Sequence, residues 1–405
     1  MRKKIARILA WQSQRLLRAS QARVIVVAGS IGKTSTTQAI ATVLSESFQV
    51  RKTIANYNTD IGVPCSLFQR NIPRSLSDPL RWLHIFFQNE IAIARERRNS
   101  SFNVAVLELG TDMIGELNQF SWIEPEVAVI TAIAPEHMEV FKTLDAVAKE
   151  ELSVLTYAKV GLINGSRVEE KYRADISIPY EVYGHDALEG IVKQEALQVH
   201  GAHSIDAISA AIRVANYLKM SQAAIKTGVM NIKPQPGRMN ILRGLSDSVI
   251  IDDTYNASPE AVQAAIRYLY DRKEKYKVAV LGNMNELGET STTEHTLIGE
   301  MCDPKKVNLV VTLGSDANKY TAAAARKNGC EVIEVTSPYE AAKHVKTFLE
   351  SHKDKTCVLC KGSQNGVFAE EAVKMLLKNE TDYKELVRQS ESWLAKKKKA
   401  FEVSQ

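Results

Sequence analysis

Val24-Ile-Val-Val-Ala-Gly-Ser-Ile-Gly-Lys-Thr-Ser35 is the stretch on which the fold turns. The consecutive β-branched residues Val24–Val27 read as a strand buried on both faces, and a helical pattern follows through Leu44. Strand, glycine loop and helix in that order form the setting of a phosphate-binding turn. Gly29 and Gly32 let the backbone N–H groups point at phosphate oxygens, and the helix start adds a favourable dipole. Gly29, Ser30, Gly32, Lys33, Thr34 and Ser35 are therefore the candidate ATP contacts, with Lys33 placed to neutralise the β and γ phosphates and the Thr34 hydroxyl placed to ligate Mg²⁺. Against the general pattern G-x-x-x-x-G-K-[ST], the first glycine position holds Val27. The plainer alternative, a glycine turn with an incidental lysine, loses ground because Lys33 and Thr34 follow Gly32 directly.

Further β-branched runs at Val104–Leu107, Val127–Thr131 and Val160–Ile163 are separated by stretches long enough for helices, the alternation of a parallel sheet. Lys233-Pro-Gln-Pro-Gly-Arg238 then breaks both periodicities, and a second series begins at Val249–Ile251, Lys277–Leu281, Leu309–Leu313, Glu331–Val335 and Thr356–Leu359, with helical intervals such as Glu260–Tyr270 and Glu340–Leu349. The expected fold class is α/β: a P-loop-containing central parallel-sheet ATPase domain over residues 23–236, then a Rossmann-like C-terminal α/β domain over 237–380. A basic amphipathic helix over 1–22 precedes them and a basic tail over 381–405 follows.

A chain of 405 residues, 45% apolar, is long enough for two or three domains with their own cores. Its formal charge is +5, yet six basic residues lie in the first twenty and four more at Lys396–Lys399, so the body is acidic and gives no reason to expect nucleic acid as a partner. Five cysteines in a long chain fit a reducing cytoplasm rather than a disulfide framework, and Cys357 and Cys360 read as residues of a buried strand. No apolar run reaches the roughly 18–20 residues of a spanning helix. The first helix, with Ile5, Ile8, Leu9, Leu16 and Leu17 among basic residues, is expected to pack on the first domain; peripheral membrane contact is the alternative.

The shortened loop Gly29-Ser-Ile-Gly-Lys-Thr-Ser35 resembles that of the Mur ligases, which build the peptide of peptidoglycan precursors. Asn56-Tyr-Asn-Thr-Asp-Ile-Gly-Val-Pro64, Glu108-Leu-Gly110 and Gly115-Glu116 resemble segments of the MurF branch, and His137 in Pro135-Glu-His-Met-Glu139 stands where the family has a metal-site histidine. Gly237-Arg-Met239, Asp252-Asp-Thr-Tyr-Asn-Ala-Ser-Pro259, Leu281-Gly-Asn-Met-Asn-Glu-Leu-Gly288 with His295, and Lys361-Gly-Ser363 continue the series in order over roughly residues 23 to 380.

The resemblance implies an ATP-dependent ligase of peptidoglycan biosynthesis that phosphorylates a precursor carboxylate and passes the acyl group to an amino acid or a dipeptide such as D-alanyl-D-alanine. Negative charges must meet in the first step, so cations and oriented N–H groups carry the acceleration. It implies Lys33 at the phosphates, and Thr34, Glu108 and His137 as ligands for Mg²⁺. Arg238 and Asp253, with Tyr255 and Asn256 in the same shell, are expected to grip ATP. Asn56, Asn58, Lys361 and Ser363 are the expected substrate contacts.

Several positions depart from the family pattern. The family's carbamylated lysine lies in a K-x-E segment; counting from His137 puts Glu151 of Val147-Ala-Lys-Glu-Glu-Leu152 at that position, with Lys149 serving only if the helix is shifted. Glu151 is the favoured reading, since a glutamate is already an anionic oxygen ligand. Ala207 replaces an asparagine and Gln364 an arginine. Only about twenty-two residues precede the first strand, where MurF ligases carry a UDP-sugar-binding domain, so a partner, the segment around Pro73–Arg98, or a different carboxylate acceptor is expected to make up for it. A weakly active nucleotide-binding partner subunit is the remaining alternative.

Overall fold

The computed structural model describes the chain apart from residues 55–56, 74, 194–195, 353 and 403–405. It divides into two compact units, Met1–Gln198 with Ala202–Ile232, and Val199–Gly201 with Lys233–Gln405.

The first unit is built on a six-stranded parallel sheet, ordered β2-β3-β1-β4-β5-β6. Its strands are β1 (Arg23–Ala28), β2 (Val50–Lys52), β3 (Val104–Glu108), β4 (Val127–Ile130), β5 (Val160–Asn164) and β6 (Tyr180–Tyr183). β1, β3 and β4 are almost wholly buried, as a parallel sheet covered on both faces requires. β1 lies between β3 and β4, with Val27 opposite both Glu108 and Val129. The carboxyl ends of three strands therefore meet where the strand order reverses, the place at which open α/β sheets bind ligands. Thr131 was expected to extend β4 but lies just past its end, its N–H and hydroxyl both donating to the Ala28 carbonyl, at 2.9 and 3.1 Å.

Helix α1 (Arg2–Ser20) packs on the unit as expected, burying Ile5, Leu9, Leu16 and Leu17. Each such leucine contributes about 1.5–3 kcal/mol. The helices that follow are α2 (Lys33–Leu44), α3 (Gly62–Leu67), α4 (Pro79–Arg98), α5 (Met138–Phe141) and α6 (Leu144–Leu152). Buried Gln12 of α1 donates to the Phe86 carbonyl and to Glu90 of α4, both at 2.9 Å, which fixes the pairing of the two helices.

The second unit carries β7 (Asn240–Arg243), β8 (Val249–Asp253), β9 (Tyr276–Gly282), β10 (Leu309–Leu313), β11 (Val332–Val335) and β12 (Thr356–Lys361), ordered β11-β10-β9-β12-β8-β7. All pairs are parallel except β7 with β8, an edge the sequence reading did not foresee. Cys357 and Cys360 are buried in β12, and all five cysteines are free. Residues after 380 were expected to form a basic tail. Instead Glu391–Glu402 is a helix, and its Lys397 is 1% exposed, paired with Glu370 at 2.9 Å and Glu371 at 2.6 Å. Two buried carboxylates draw that lysine inward, since a buried charge calls for a partner of opposite sign.

Candidate active site

In the first unit the loop after β1 turns at Gly29, whose φ of 124° no side chain adopts easily. A Cβ there would lie 2.8–2.9 Å from the backbone nitrogens of Ala132 and Thr131, so the loop presses against the end of β4 with no room to spare. Ser30 seals the same seam: its N–H donates to the Ala132 carbonyl at 2.9 Å, and its hydroxyl accepts from the Ala134 N–H at 3.0 Å. Gly32 (φ 88°) is the N-cap of α2, placing Lys33, Thr34 and Ser35 in the first helical turn.

Lys33 is folded over the loop it belongs to, donating to the Gly29 carbonyl. Glu136 Oε2 lies 3.6 Å and Glu151 Oε1 3.9 Å from its Nζ. Burial works against the ammonium, but Glu136, Glu151 and Glu108 outweigh it and hold its pKa above the ordinary lysine value. Glu151 is 0% exposed and accepts from the Gly29 N–H at 2.6 Å, while its Oε1 has no hydrogen-bond partner among the described residues. Burial, then Glu136, push its carboxyl well above the usual range against the pull of Lys33.

Lys149, the alternative to Glu151, is not brought to this loop. It lies exposed on α6 while Glu150 and Glu151 are buried, because successive helical residues point about 100° apart. Glu150 has separate work: it accepts from the N–H groups of Gly115 and Leu117 at 2.6 and 2.8 Å and shapes the 111–117 loop.

Glu108 is the last residue of β3 rather than one beyond it. Its Oε1 accepts from the Asn58 amide at 3.1 Å, and its buried Oε2 has no hydrogen-bond partner among the described residues. Asn58 also packs directly on Gly110, leaving no room there for a Cβ, so it is a positioning contact for Glu108. Asn56 lies outside the described residues. His137 caps α5 in a left-handed conformation (φ 46°), and its Nε2 stands 3.4 Å from Asp112. Among the described residues no three His, Cys, Asp or Glu side chains gather as a metal site. What fits a hard cation here is the buried Glu108 oxygen, which has no hydrogen-bond partner among the described residues. Ala207, where an asparagine was expected, is buried in the helix Ala202–Tyr217 and offers no polar group.

The second unit organises its own set at the ends of β8 and β12. Lys361, 2% exposed, reaches Asp253 Oδ2 at 2.6 Å and the Asn256 carbonyl at 3.0 Å. Asp253 Oδ1 accepts from the Met239 N–H at 3.2 Å. Asp252 is fully buried and accepts from Gly237 and Thr254, yet burial pushes its carboxyl up to about 6. The next helix begins at Pro259 with Ser258 at its N-cap position, beyond both aspartates. The Arg238 guanidinium lies 4.1 Å from the Tyr255 ring centre, a cation–π contact.

Lys361 and Ser363 were expected to face the amine substrate. The structure turns both inward: the Ser363 hydroxyl is buried between the Asn285 N–H (2.9 Å) and the Ala257 carbonyl (3.3 Å), holding strand-end loops together. His295 is likewise buried and accepts from the Met284 N–H at 3.0 Å.

Sequence reading missed two residues. Glu136 was within the quoted Pro135–Glu139 segment, and its charge beside a loop lysine was the available signal. Arg388 gave none: it grips Glu370 with two bonds of 2.8 and 2.6 Å and donates to the carbonyls of Thr254 and Tyr255 at 2.6 and 2.9 Å.

Residues 27–72 and 88–215 match the Mur ligase middle domain, and residues 237–364 match the Mur ligase glutamate ligase domain. A UDP-N-acetylmuramoyl-tripeptide–D-alanyl-D-alanine ligase of Bacillus subtilis (strain 168) is 28% identical over 380 residues, covering 88% of this chain and 76% of that one. Among solved structures, MurF from Acinetobacter baumannii superposes with a TM-score of 0.74 at 23% identity, covering 93% of this chain and 80% of that one. MurF ligase from Thermotoga maritima in complex with ADP gives 0.69 at 20% identity, covering 91% and 83%. Carrying both characteristic domains in order, each on its own sheet, the chain belongs to the Mur ligase family.

Proposed function

We propose that this chain is an ATP-dependent ligase of the MurF type, joining D-alanyl-D-alanine or a similar amine to the carboxylate of a peptidoglycan precursor peptide. The observation that carries the reading is Lys33 on a glycine loop at the end of β1, faced by buried Glu151 and half-buried Glu136. The relatives named above as tripeptide–D-alanyl-D-alanine ligases support the choice of substrates.

A carboxylate is a poor electrophile, so its oxygen first attacks the γ-phosphorus of ATP, releasing ADP and leaving an acyl phosphate. The neutral amine then adds to the acyl carbon, and the tetrahedral species expels phosphate and loses a proton. Lys33 stays cationic throughout the neutral range, because its acidic neighbours hold its proton. It therefore presents a fixed positive charge to transferring phosphate oxygens, whose stabilisation is the larger part of such catalysis. Glu151 anchors the Gly29 N–H and so holds the loop in its turn. In this reading it takes the electrostatic place of the family's modified lysine without any modification. Thr34 and Glu108 would hold Mg²⁺, which when bound offsets phosphate charge. Arg238, Asp253, Tyr255 and Asn256 are assigned to the nucleotide.

The test is purified protein with ATP, Mg²⁺, UDP-N-acetylmuramoyl-tripeptide and D-alanyl-D-alanine, following phosphate release and product mass. Phosphate release that needs both acceptor and amine, with a product heavier by the dipeptide less water, supports the proposal. Phosphate release indifferent to either substrate overturns it.

A further inference from the structure

The helices α1 and α4 present an exposed face that the ligase chemistry does not use. Their mutual packing consumes only one side of each. On α4, Leu80, Leu83, Phe87 and Ile91 recur at helical spacing along the outward side, 77, 62, 66 and 38% exposed. On α1, Ile8 and Trp11 are 40% and 56% exposed. Arg15 ties the two rows together: its guanidinium lies 4.3 Å from the Trp11 ring centre and 2.7 Å from Glu90 of α4, the neighbour of Ile91. Scattered exposed apolar residues need no explanation, but six aligned on two paired helices form a patch, and such patches mark interaction surfaces.

The charge around the patch says what it meets. The two helices hold only two acids, and both are paired: Glu90 with Arg15, and Glu96 with Arg51 at 3.1 Å. Lys4, Arg7, Arg18, Arg95, Arg97 and Arg98 stand exposed beside the apolar rows. An apolar stripe rimmed by cations that form no salt bridge among the described residues, on helices lying side by side, complements a sheet of anionic headgroups over acyl chains. No helix among the described residues is long and apolar enough to cross a bilayer, so any such contact lies along the surface. We propose that the α1–α4 face docks the protein on an anionic lipid surface, with Trp11, Leu83 and Phe87 entering the headgroup boundary.

The test is flotation of the full chain with vesicles of phosphatidylglycerol and of phosphatidylcholine at low and high salt. Binding to the anionic vesicles alone, released by salt, is expected. Leu83→Glu with Phe87→Glu, both at exposed positions, should lower the bound fraction about tenfold while far-ultraviolet circular dichroism and the urea midpoint are unchanged. Brominated acyl chains should quench fluorescence in the native chain and not in Trp11→Phe. Equal binding to both vesicle types, full binding of the double variant, or no binding at all overturns the proposal. So does a solution dimer that the double variant dissociates, which would assign the face to a second copy of the chain.

Discussion

Two lysines stand at the ends of buried strands, and they are held in opposite ways. Lys361 in the second unit is locked: 2% exposed, 2.6 Å from one carboxylate, its remaining reach spent on a backbone carbonyl. Lys33 in the first is held by carbonyls of its own loop, while its carboxylates stand off at 3.6 and 3.9 Å and its side chain is 15% exposed. A tight pair has spent its charge on structure. A loosely surrounded ammonium keeps its charge available to a ligand that brings oxygen atoms closer than the neighbours do.

The sharpest way to break this contrast is Lys33→Ala. It should cut kcat/KM by about 10³-fold while far-ultraviolet circular dichroism stays unchanged, since Lys33 supports phosphate charge and little of the fold. Lys361→Ala should do the reverse in emphasis. Leaving Asp253 without its partner destabilises the second unit by about 3–5 kcal/mol, read by urea denaturation. If Lys361→Ala keeps native stability and loses only turnover, the contrast fails.

Asp252 sharpens the same comparison from the acid side. Its folded pKa, about 6, lies above the ordinary 3.8, so the folded state holds the proton more firmly. Between those two values the unfolded chain binds fewer protons, and stability falls as pH rises, by about 3 kcal/mol in all, then levels off. Urea melts from pH 4 to pH 7 should show this descent in the native chain and not in Asp252→Asn.

Glu151 adds a pH test of the first unit. Its raised pKa means that its anion forms only above the usual carboxylate range, so kcat/KM should climb with pH there. Glu151→Gln should flatten the climb and lower the plateau by roughly tenfold. Lys149→Ala, at an exposed position, should change stability by no more than about 0.5 kcal/mol and turnover hardly at all. A large loss from Lys149→Ala with none from Glu151→Gln would reverse the assignment.

The central strands were legible because burial on both faces writes itself as an unbroken apolar run, as in Val24–Val27 and Leu309–Leu313. The edges were not. Val50–Lys52 is short and basic, Tyr180–Tyr183 is largely exposed, and Asn240–Arg243 pairs antiparallel, so none shows that signature. At the site, loop glycines and strand-end acids could be read because their chemistry is local. The turn of Ser363 away from solvent, and the bonds of Arg388 to residues 133 and 134 positions earlier, are products of tertiary packing.

Those bonds carry a practical consequence for anyone shortening this protein. Arg388 and Lys397 are the counter-ions of Glu370 and Glu371, which lie in the apolar interior of the second unit. Cutting the chain after Leu386 would strand both acids in a medium that cannot solvate them, at about 3–5 kcal/mol each time a partner is lost. The same cut would free the carbonyls of Thr254 and Tyr255, so damage at the far end would be felt at the Arg238–Tyr255 stack.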